Sequence, residues 1–333
     1  MTLPGPQQSA RARRQAAASV AATPAARHAR SSGRGPGWMA GGVLAAALLV
    51  AASVAVTSAV AAPPAAQPSP TASPAPRPPA LVSAPEPIER LLPVCERQSV
   101  IAALQAGDDE AAIAAMGGGE AMRQAVVAGD APCVDLRDPA RVWMVVDKTR
   151  PYVPIDFQPA SLARVRGIRV FNAGILRTDA GAAMTRMFAA ASKEGAGRLA
   201  ITSGFRSYGD QARQYRSQIA TKGRSSADEV SARPGYSEHQ SGLAADVVAC
   251  GSGGCSSIEH FGSTKQGGWV AANSWRYGFV VRYEKGRTKV TGYSPEPWHI
   301  RYVGPALAKA YHDGGFHTLE EFWGLPAAPG YGD

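Results

Sequence analysis

The C-terminal half of the sequence predicts an α+β fold in which short strands alternate with amphipathic helices. Between Asp179 and Lys193, apolar side chains recur at the i, i+3, i+4 and i+7 spacing of a helix that packs on one face. The short runs Leu243–Val248 and Phe279–Tyr283 predict strands. Pro297 disfavours a helix around itself, so we expect the polar residues on either side of it to lie on strands and loops.

The first 36 residues predict a basic cytoplasmic tail. Its charged side chains are six arginines, whereas Lys and Arg exceed Asp and Glu by nine over all 333 residues. The rest of the chain therefore carries a surplus of only three positive charges. Because the basic excess does not lie beside aromatic residues, the composition disfavours nucleic acid as a partner. The six are Arg11, Arg13, Arg14, Arg27, Arg30 and Arg34.

Residues 37–62 predict a transmembrane helix that acts as a signal anchor. They contain no charged side chain, and they are long enough to span a hydrocarbon core, which needs about 20 apolar residues. The arginines before them place the N-terminus in the cytoplasm and the rest of the chain outside the cell membrane. A cleaved signal peptide is the alternative, because Ala59, Val60 and Ala61 have the small-x-small form of a cleavage site. Both interpretations export the remainder of the chain.

Residues 63–87 alternate Pro with Ala and Ser, which predicts an extended linker, and residues 88–140 then predict a small helical module. The even cysteine count of an exported chain favours disulfides, so we expect Cys95 to pair with Cys133 around this module. Its own core would be thin, and we expect it to pack against the domain that follows. The predicted helices are Ser99–Ala106, Asp109–Ala115 and Glu120–Val127.

A second cysteine pair, Cys250 and Cys255, encloses a glycine-rich loop. A structural zinc site needs four N or S ligands, and His260 is the one further candidate nearby, so a local disulfide is the favoured interpretation. The remaining predicted elements are a strand at Arg198–Thr202 and helices at Gly209–Ala220, Gly268–Arg276, Ala306–His312 and Leu319–Trp323.

Four polar residues have the composition of a catalytic zinc site. Zinc in hydrolases takes three N or O ligands and leaves a fourth position for water. His239, Asp246 and His299 supply two imidazoles and one carboxylate. Glu296 supplies a spare carboxylate for proton transfer. Each of these residues alone is more often structural, so the prediction depends on their combination.

The order of these residues resembles a known signature. Ser237 to Asp246 reads Ser-x-His, then Asp seven positions after the His, and Glu296 to His299 reads Glu-x-x-His. These motifs resemble those of the LAS metallopeptidases, the family that includes the VanY-type D-Ala-D-Ala carboxypeptidases. The resemblance covers residues 141–303. Further segments that contribute to it are Ser203–Tyr208, Ala232–Tyr236 and the strand-like Trp143–Lys148.

The resemblance implies a hedgehog- and D,D-peptidase-like domain over residues 141–326, in which a small antiparallel sheet flanked by helices carries the zinc ion. It also implies removal of the terminal D-Ala from peptidoglycan stem peptides that end in D-Ala-D-Ala. An arginine of the family faces the substrate, and this role falls to Arg206, whose guanidinium suits a carboxylate or a developing oxyanion. Ser237 and Gln211 are its expected companions in substrate binding.

Two alternatives stay open. The same ligands occur in D,D-dipeptidases and L,D-endopeptidases, which differ in the shape of the substrate pocket. A zinc-containing wall-binding protein without catalytic activity is the other alternative. The presence of Glu296 argues against it, because a structural metal needs no spare carboxylate beside a ligand.

Overall fold

The structure is a computed structural model, and it describes residues 91–171 and 174–332. The predicted basic tail, the predicted membrane helix at residues 37–62 and the predicted linker lie outside these residues. Within the described ranges, no helix has both the length and the apolar character needed to cross a membrane.

Three short helices open the described chain, as the sequence predicts. They are α1 (Gln98–Ala106), α2 (Asp109–Ala115) and α3 (Gly119–Ala128). A disulfide joins Cys95 to Cys133 across them, which confirms the predicted pairing. Their buried side chains Val100, Ile113 and Met122 belong to the same hydrophobic core as Leu307 and Phe322 near the C-terminus.

The predicted α+β architecture is confirmed, and the strands of the described ranges are β1 (Leu162–Arg164), β2 (Arg169–Val170), β3 (Ile175–Arg177), β4 (Arg198–Ser203), β5 (Ala244–Gly251), β6 (Gly254–Cys255), β7 (Phe279–Tyr283) and β8 (Glu296–Tyr302). The central sheet has the strand order β2-β4-β5-β8-β7, and β6 pairs with β5. All of its pairs are antiparallel except β2 with β4, which is parallel, so the prediction of an antiparallel sheet needs this correction. Strands β1 and β3 form a separate two-stranded sheet.

Helices flank the sheet, and within the described ranges they are α4 (Thr178–Lys193), α5 (Tyr208–Lys222), α6 (Arg224–Val230), α7 (Lys265–Asn273), α8 (Thr288–Thr291), α9 (Pro305–Asp313) and α10 (Leu319–Phe322). Five of these seven lie close to where the sequence predicts them, whereas α6 and α8 are not predicted. The amphipathic helix α4 buries Met184, Met187 and Phe188, which are the side chains that its periodicity predicts to be buried. Helix α5 begins at a Ser207 cap, whose hydroxyl accepts a hydrogen bond from the Asp210 amide.

The strand-like segment Trp143–Lys148 is not part of a sheet, which corrects the sequence-based expectation. Its one ladder-like contact is an isolated bridge between Asp147 and Arg150. The buried guanidinium of Arg301 donates to the carbonyl oxygens of Val142 and Met144, at 3.2 and 2.8 Å, and so occupies acceptors that a neighbouring strand would otherwise use. The alternating apolar pattern here reflects burial on both sides and not strand pairing.

Candidate active site

The register of two central strands brings the first two predicted ligands together. Asp246 on β5 lies directly opposite His299 on β8 in an antiparallel pair. Opposite residues in such a pair project their side chains from the same face, so both groups point into one site. Ser203 at the end of β4 lies opposite Asp246 on its other side.

The third predicted ligand, His239, comes from a 3₁₀ turn over Glu238–Ser241 that precedes β5. The Nδ1 atom of His239 lies 2.8 Å from the carbonyl oxygen of Gly204, which can only accept a hydrogen bond. Nδ1 therefore carries the proton, and Nε2 is left with a lone pair that faces the site. The turn ends at Gly242 in the left-handed conformation, with φ of 69°.

Three donor atoms converge as a metal site requires. Atoms of His239, Asp246 and His299 all lie within 4.8 Å of one another. His239 Nε2 is 3.3 Å from Asp246 Oδ2, and His299 Nδ1 is 3.1 Å from Asp246 Oδ1. Two imidazoles and one carboxylate are a typical ligand set of catalytic zinc, so the residues present fit this metal. Burial alone would raise the pKa of Asp246, but the two adjacent imidazoles outweigh it and hold the pKa below its usual range.

Glu238 is a functional residue that the sequence did not identify. Its Oε2 lies 3.1 Å from His299 Nε2, so the carboxylate orients this imidazole and leaves Nδ1 to face the other donors. Its Oε1 accepts from Arg282 Nε at 2.9 Å and from Arg301 at 3.0 Å. Burial would raise the pKa of Glu238, but these two guanidinium groups lower it. The one signal in the sequence is that Arg282 and Arg301 interrupt apolar strands.

The predicted proton-transfer residue, Glu296, lies at the start of β8. Its Oε2 is 3.9 Å from His299 Nδ1, which places it beside the metal donors. Burial raises the pKa of Glu296 to about 7, although the nearby His299 opposes this shift. A carboxyl group whose pKa lies near neutrality can both accept and return a proton at physiological pH.

Arg206 lies beside the metal donors, with its side chain 4.0 Å from Asp246. It donates to Gln211 Oε1 and to Ser203 Oγ, both at 2.8 Å, so its orientation is fixed from behind. Burial lowers the pKa of Arg206 from its ordinary value, and Asp246 and Glu296 oppose this shift.

The two expected companions of Arg206 lie in different positions. Ser237 is buried and lines the cavity above the metal donors. Gln211 is fully buried behind Arg206, and its Nε2 donates to the carbonyl oxygen of Ala232 at 2.5 Å. In this position Gln211 orients Arg206, and its direct contact with a substrate stays a prediction.

A cavity of about 360 Å³ lies over the metal donors. Its lining includes residues of α5 together with Ile258 and Glu259, which follow the β5–β6 hairpin. A disulfide between Cys250 and Cys255 closes this hairpin, as predicted. Further side chains that line the cavity are Arg206, Gln214, Gln218, Lys222, Ser237, Tyr283, Tyr293, Glu296 and Trp298.

Residues 174–305 match the sequence model of the VanY family, D-alanyl-D-alanine carboxypeptidase. The chain is 34% identical over 141 residues to a bifunctional D-Ala-D-Ala dipeptidase and D-Ala-D-Ala carboxypeptidase, VanXYC, of Enterococcus gallinarum, covering 37% of this chain and 71% of that protein. The chain belongs to the VanY family. The VanY match contains all three metal donors together with Arg206 and Glu296.

Two further relatives extend the VanY comparison. The putative carboxypeptidase YodJ of Bacillus subtilis is 45% identical over 148 residues, which is 44% of this chain, and the chain spans about half (53%) of its length. The solved structure of the LdcB LD-carboxypeptidase superposes with a TM-score of 0.52 at 37% identity, covering 57% of this chain and 89% of that one.

Proposed function

We propose that the protein is a zinc-dependent D-Ala-D-Ala carboxypeptidase that removes the terminal D-Ala from peptidoglycan stem peptides. The observation that carries the proposal is the convergence, in one cavity, of His239, Asp246 and His299 with a buried carboxyl group and an oriented guanidinium. Membership of the VanY family supports the same activity.

The residues around the metal donors divide the reaction between them. Zinc, when bound by the two imidazoles and Asp246, polarises a carbonyl group and lowers the pKa of coordinated water. Glu296 lies beside His299, and therefore beside the position that a metal-bound water would occupy. It would take a proton from this attacking water and then return the proton to the leaving amine. Ser237 and Trp298 line the cavity in which the peptide backbone would lie.

Arg206 would recognise the end of the substrate. A guanidinium carries five N–H donors, of which Gln211 and Ser203 each use one. A terminal carboxylate can pair with the remaining donors, and a peptide without this charge would leave the half-buried cation uncompensated. This property favours a carboxypeptidase over an endopeptidase.

We place the catalytic domain outside the cell membrane, held by the uncharged segment at residues 37–62. The six arginines before this segment support that orientation. The two disulfides support it independently, because disulfides persist in oxidising compartments outside the cytoplasm.

The products of a pentapeptide stem test the proposed activity. The zinc-loaded protein should release a single D-Ala, which mass spectrometry distinguishes from release of a dipeptide or from internal cleavage. Release of D-Ala-D-Ala would identify a dipeptidase instead. The similarity to the LdcB LD-carboxypeptidase gives a second candidate, and cleavage of a tetrapeptide stem in preference to the pentapeptide would establish it.

A further inference from the structure

A row of polar side chains on α5 extends the catalytic cavity away from the metal donors. Gln214, Gln218 and Lys222 follow one another at a spacing of four, which puts them on one face of the helix, and all three line the cavity. Gln211 lies near the other end of α5, where it holds Arg206. Lys222 lies eleven positions after Gln211, which is about 16 Å along the helix.

A second segment that lines the cavity contributes an acid. Glu259 is exposed and lines the cavity close to Ile258, in the segment that follows the disulfide-closed hairpin. The other charged groups that line the cavity are the metal donors, Glu296, Arg206 and Glu238, whose partners are described above. Lys222 and Glu259 therefore give the outer part of the cavity one positive and one negative group that the proposed reaction does not use.

Gln218 supplies an acceptor between these charges and the catalytic end of the row. Its Oε1 atom is buried and has no hydrogen-bond partner within the described part of the chain. A buried acceptor of this kind gains free energy when a bound molecule donates a hydrogen bond to it.

We propose that the outer part of the cavity binds a side chain that carries both an ammonium and a carboxylate group, as diaminopimelate does, on the third residue of the stem peptide. The inference rests on the proposed function, which fixes the terminal carboxylate at Arg206. The Gln218 amide oxygen, once its side chain turns out of its buried position, and the Glu259 carboxylate accept from the ammonium group. Lys222 pairs with the carboxylate.

The dimensions of the row agree with this placement. An extended peptide advances about 3.5 Å per residue, so the third residue begins about 7 Å from the last one. The long side chain of this third residue and the flexible aliphatic chain of Lys222 together span the remaining distance along α5. A stem with lysine at this position carries the ammonium group alone, so it would leave Lys222 unpaired and close to a like charge.

The test compares three pentapeptide stems that differ at the third residue, which is diaminopimelate, its carboxamide or lysine. The proteins are wild type, Lys222→Gln and Glu259→Gln, with Lys193→Gln as the matched control. Lys193 is the last residue of α4, as Lys222 is of α5, and it is exposed and does not line the cavity. The measured quantity is kcat/KM for release of D-Ala.

Wild type and Lys193→Gln should both favour the diaminopimelate stem over its carboxamide by about fivefold, since partly exposed ion pairs are individually weak. Lys222→Gln should abolish this preference. In that variant, replacing the diaminopimelate carboxylate by a carboxamide should not lower kcat/KM further, because both changes remove the same ion pair. Glu259→Gln should lower kcat/KM for all three stems, since each has an ammonium group. Equal rates of wild type on the three stems, or the same loss in Lys222→Gln on every stem, would overturn the inference.

The failure of the proposed function would give a different result. If no stem is cleaved, that function is wrong, and calorimetric binding of the same stems to zinc-loaded Glu296→Gln protein then decides the inference. A preference for the diaminopimelate stem that Lys222→Gln abolishes would still support the subsite. Equal binding, or no binding, would reject it.

Discussion

At the residue scale, the protonation and orientation of the His299 imidazole depend on the carboxylate of Glu238, which lies 3.1 Å from its Nε2 atom. Burial lowers the pKa of His299, but hydrogen bonds with Asp246 and Glu238 outweigh it and raise the pKa to about 10. A metal must therefore displace a proton from this imidazole, and Glu238 then keeps the remaining proton on Nε2. Arg282 and Arg301 hold Glu238 in turn, so the metal site is supported by a fully buried ionic network.

Glu238→Gln should weaken zinc binding by about 10- to 100-fold, the usual effect of removing a group that orients a ligand. The amide cannot accept from His299 without directing its NH₂ group at the buried arginines, which only donate. Zinc affinity would be measured by competition with a chelator. Glu284→Gln is the control, because Glu284 also bonds a histidine, His317, at 2.8 Å on the exposed surface. Equal zinc affinities in the two variants would contradict the role of Glu238.

Glu296→Gln should retain zinc and lose activity by about 100-fold or more, because glutamine cannot accept the proton of the attacking water. Metal content and kcat measured on the same preparation separate the two effects. Activity close to that of wild type would remove Glu296 from the reaction.

The pH dependence follows from the same carboxyl group. Burial raises the pKa of Glu296 to about 7, and the positive charge of bound zinc would lower it again. A general base must be ionised, so kcat/KM should fall as the pH falls through this pKa. The midpoint is expected between 4.5, the ordinary value, and about 7. Zinc content is measured at each pH as the control, and a flat profile over this range would exclude Glu296 as the base.

At the scale of single elements, the 3₁₀ turn that carries His239 depends on Gly242. Its φ of +69° costs an L-residue about 1–2 kcal/mol, and a Cβ would lie 2.9 Å from the backbone nitrogen of Arg177. Gly107 has φ of +70° with no atom within 4 Å of such a Cβ. Gly107→Ala should therefore reduce stability by the strain alone, about 1 kcal/mol, and keep zinc affinity.

Gly242→Ala should lose more stability than Gly107→Ala and should also weaken zinc binding, because the overlap with Arg177 displaces the turn. Thermal unfolding without metal and zinc titration measure the two effects separately. If both variants lose the same stability and keep zinc, the close approach at Gly242 does not position His239.

The elements differ in how well the sequence predicts them, for identifiable reasons. Helix α4 and strand β7 were predictable because their apolar patterns are long or dense enough to show a period. Strands β1, β2 and β3 have only two or three residues each, and partners distant in sequence define them. The metal donors were predictable from their residue types and from the resemblance of their motifs to those of the LAS metallopeptidases, whereas Glu238 acquires its role only when folding brings Arg282 and Arg301 to it.

At the scale of the whole molecule, the N-terminal helices and the catalytic domain share one core. Asp109 on α2 accepts from Arg141 at 3.0 Å and from the backbone amide of Val142 at 2.8 Å. A Cβ on Gly119 of α3 would overlap the carbonyl oxygen of Ala306 at the start of α9. The boundary predicted at residue 140 therefore marks a change in composition, and the buried contacts continue across it.

A chain that begins at residue 141 should consequently fail to fold as the full described region does. Loss of the three N-terminal helices would expose apolar side chains around Leu307 and Phe322. Each Å² of apolar surface that is exposed to water costs about 25 cal/mol of stability. The same loss would also leave the partly buried side chain of Arg141 without Asp109, its partner at 3.0 Å. Near-ultraviolet circular dichroism and thermal unfolding, compared with a chain that begins at residue 88, measure the effect. We expect a weakened or absent cooperative transition in the shorter chain and a sharp one in the longer chain. Equal transitions would show that residues 141–326 form an independent domain, and the N-terminal helices would then serve a purpose other than completing the core.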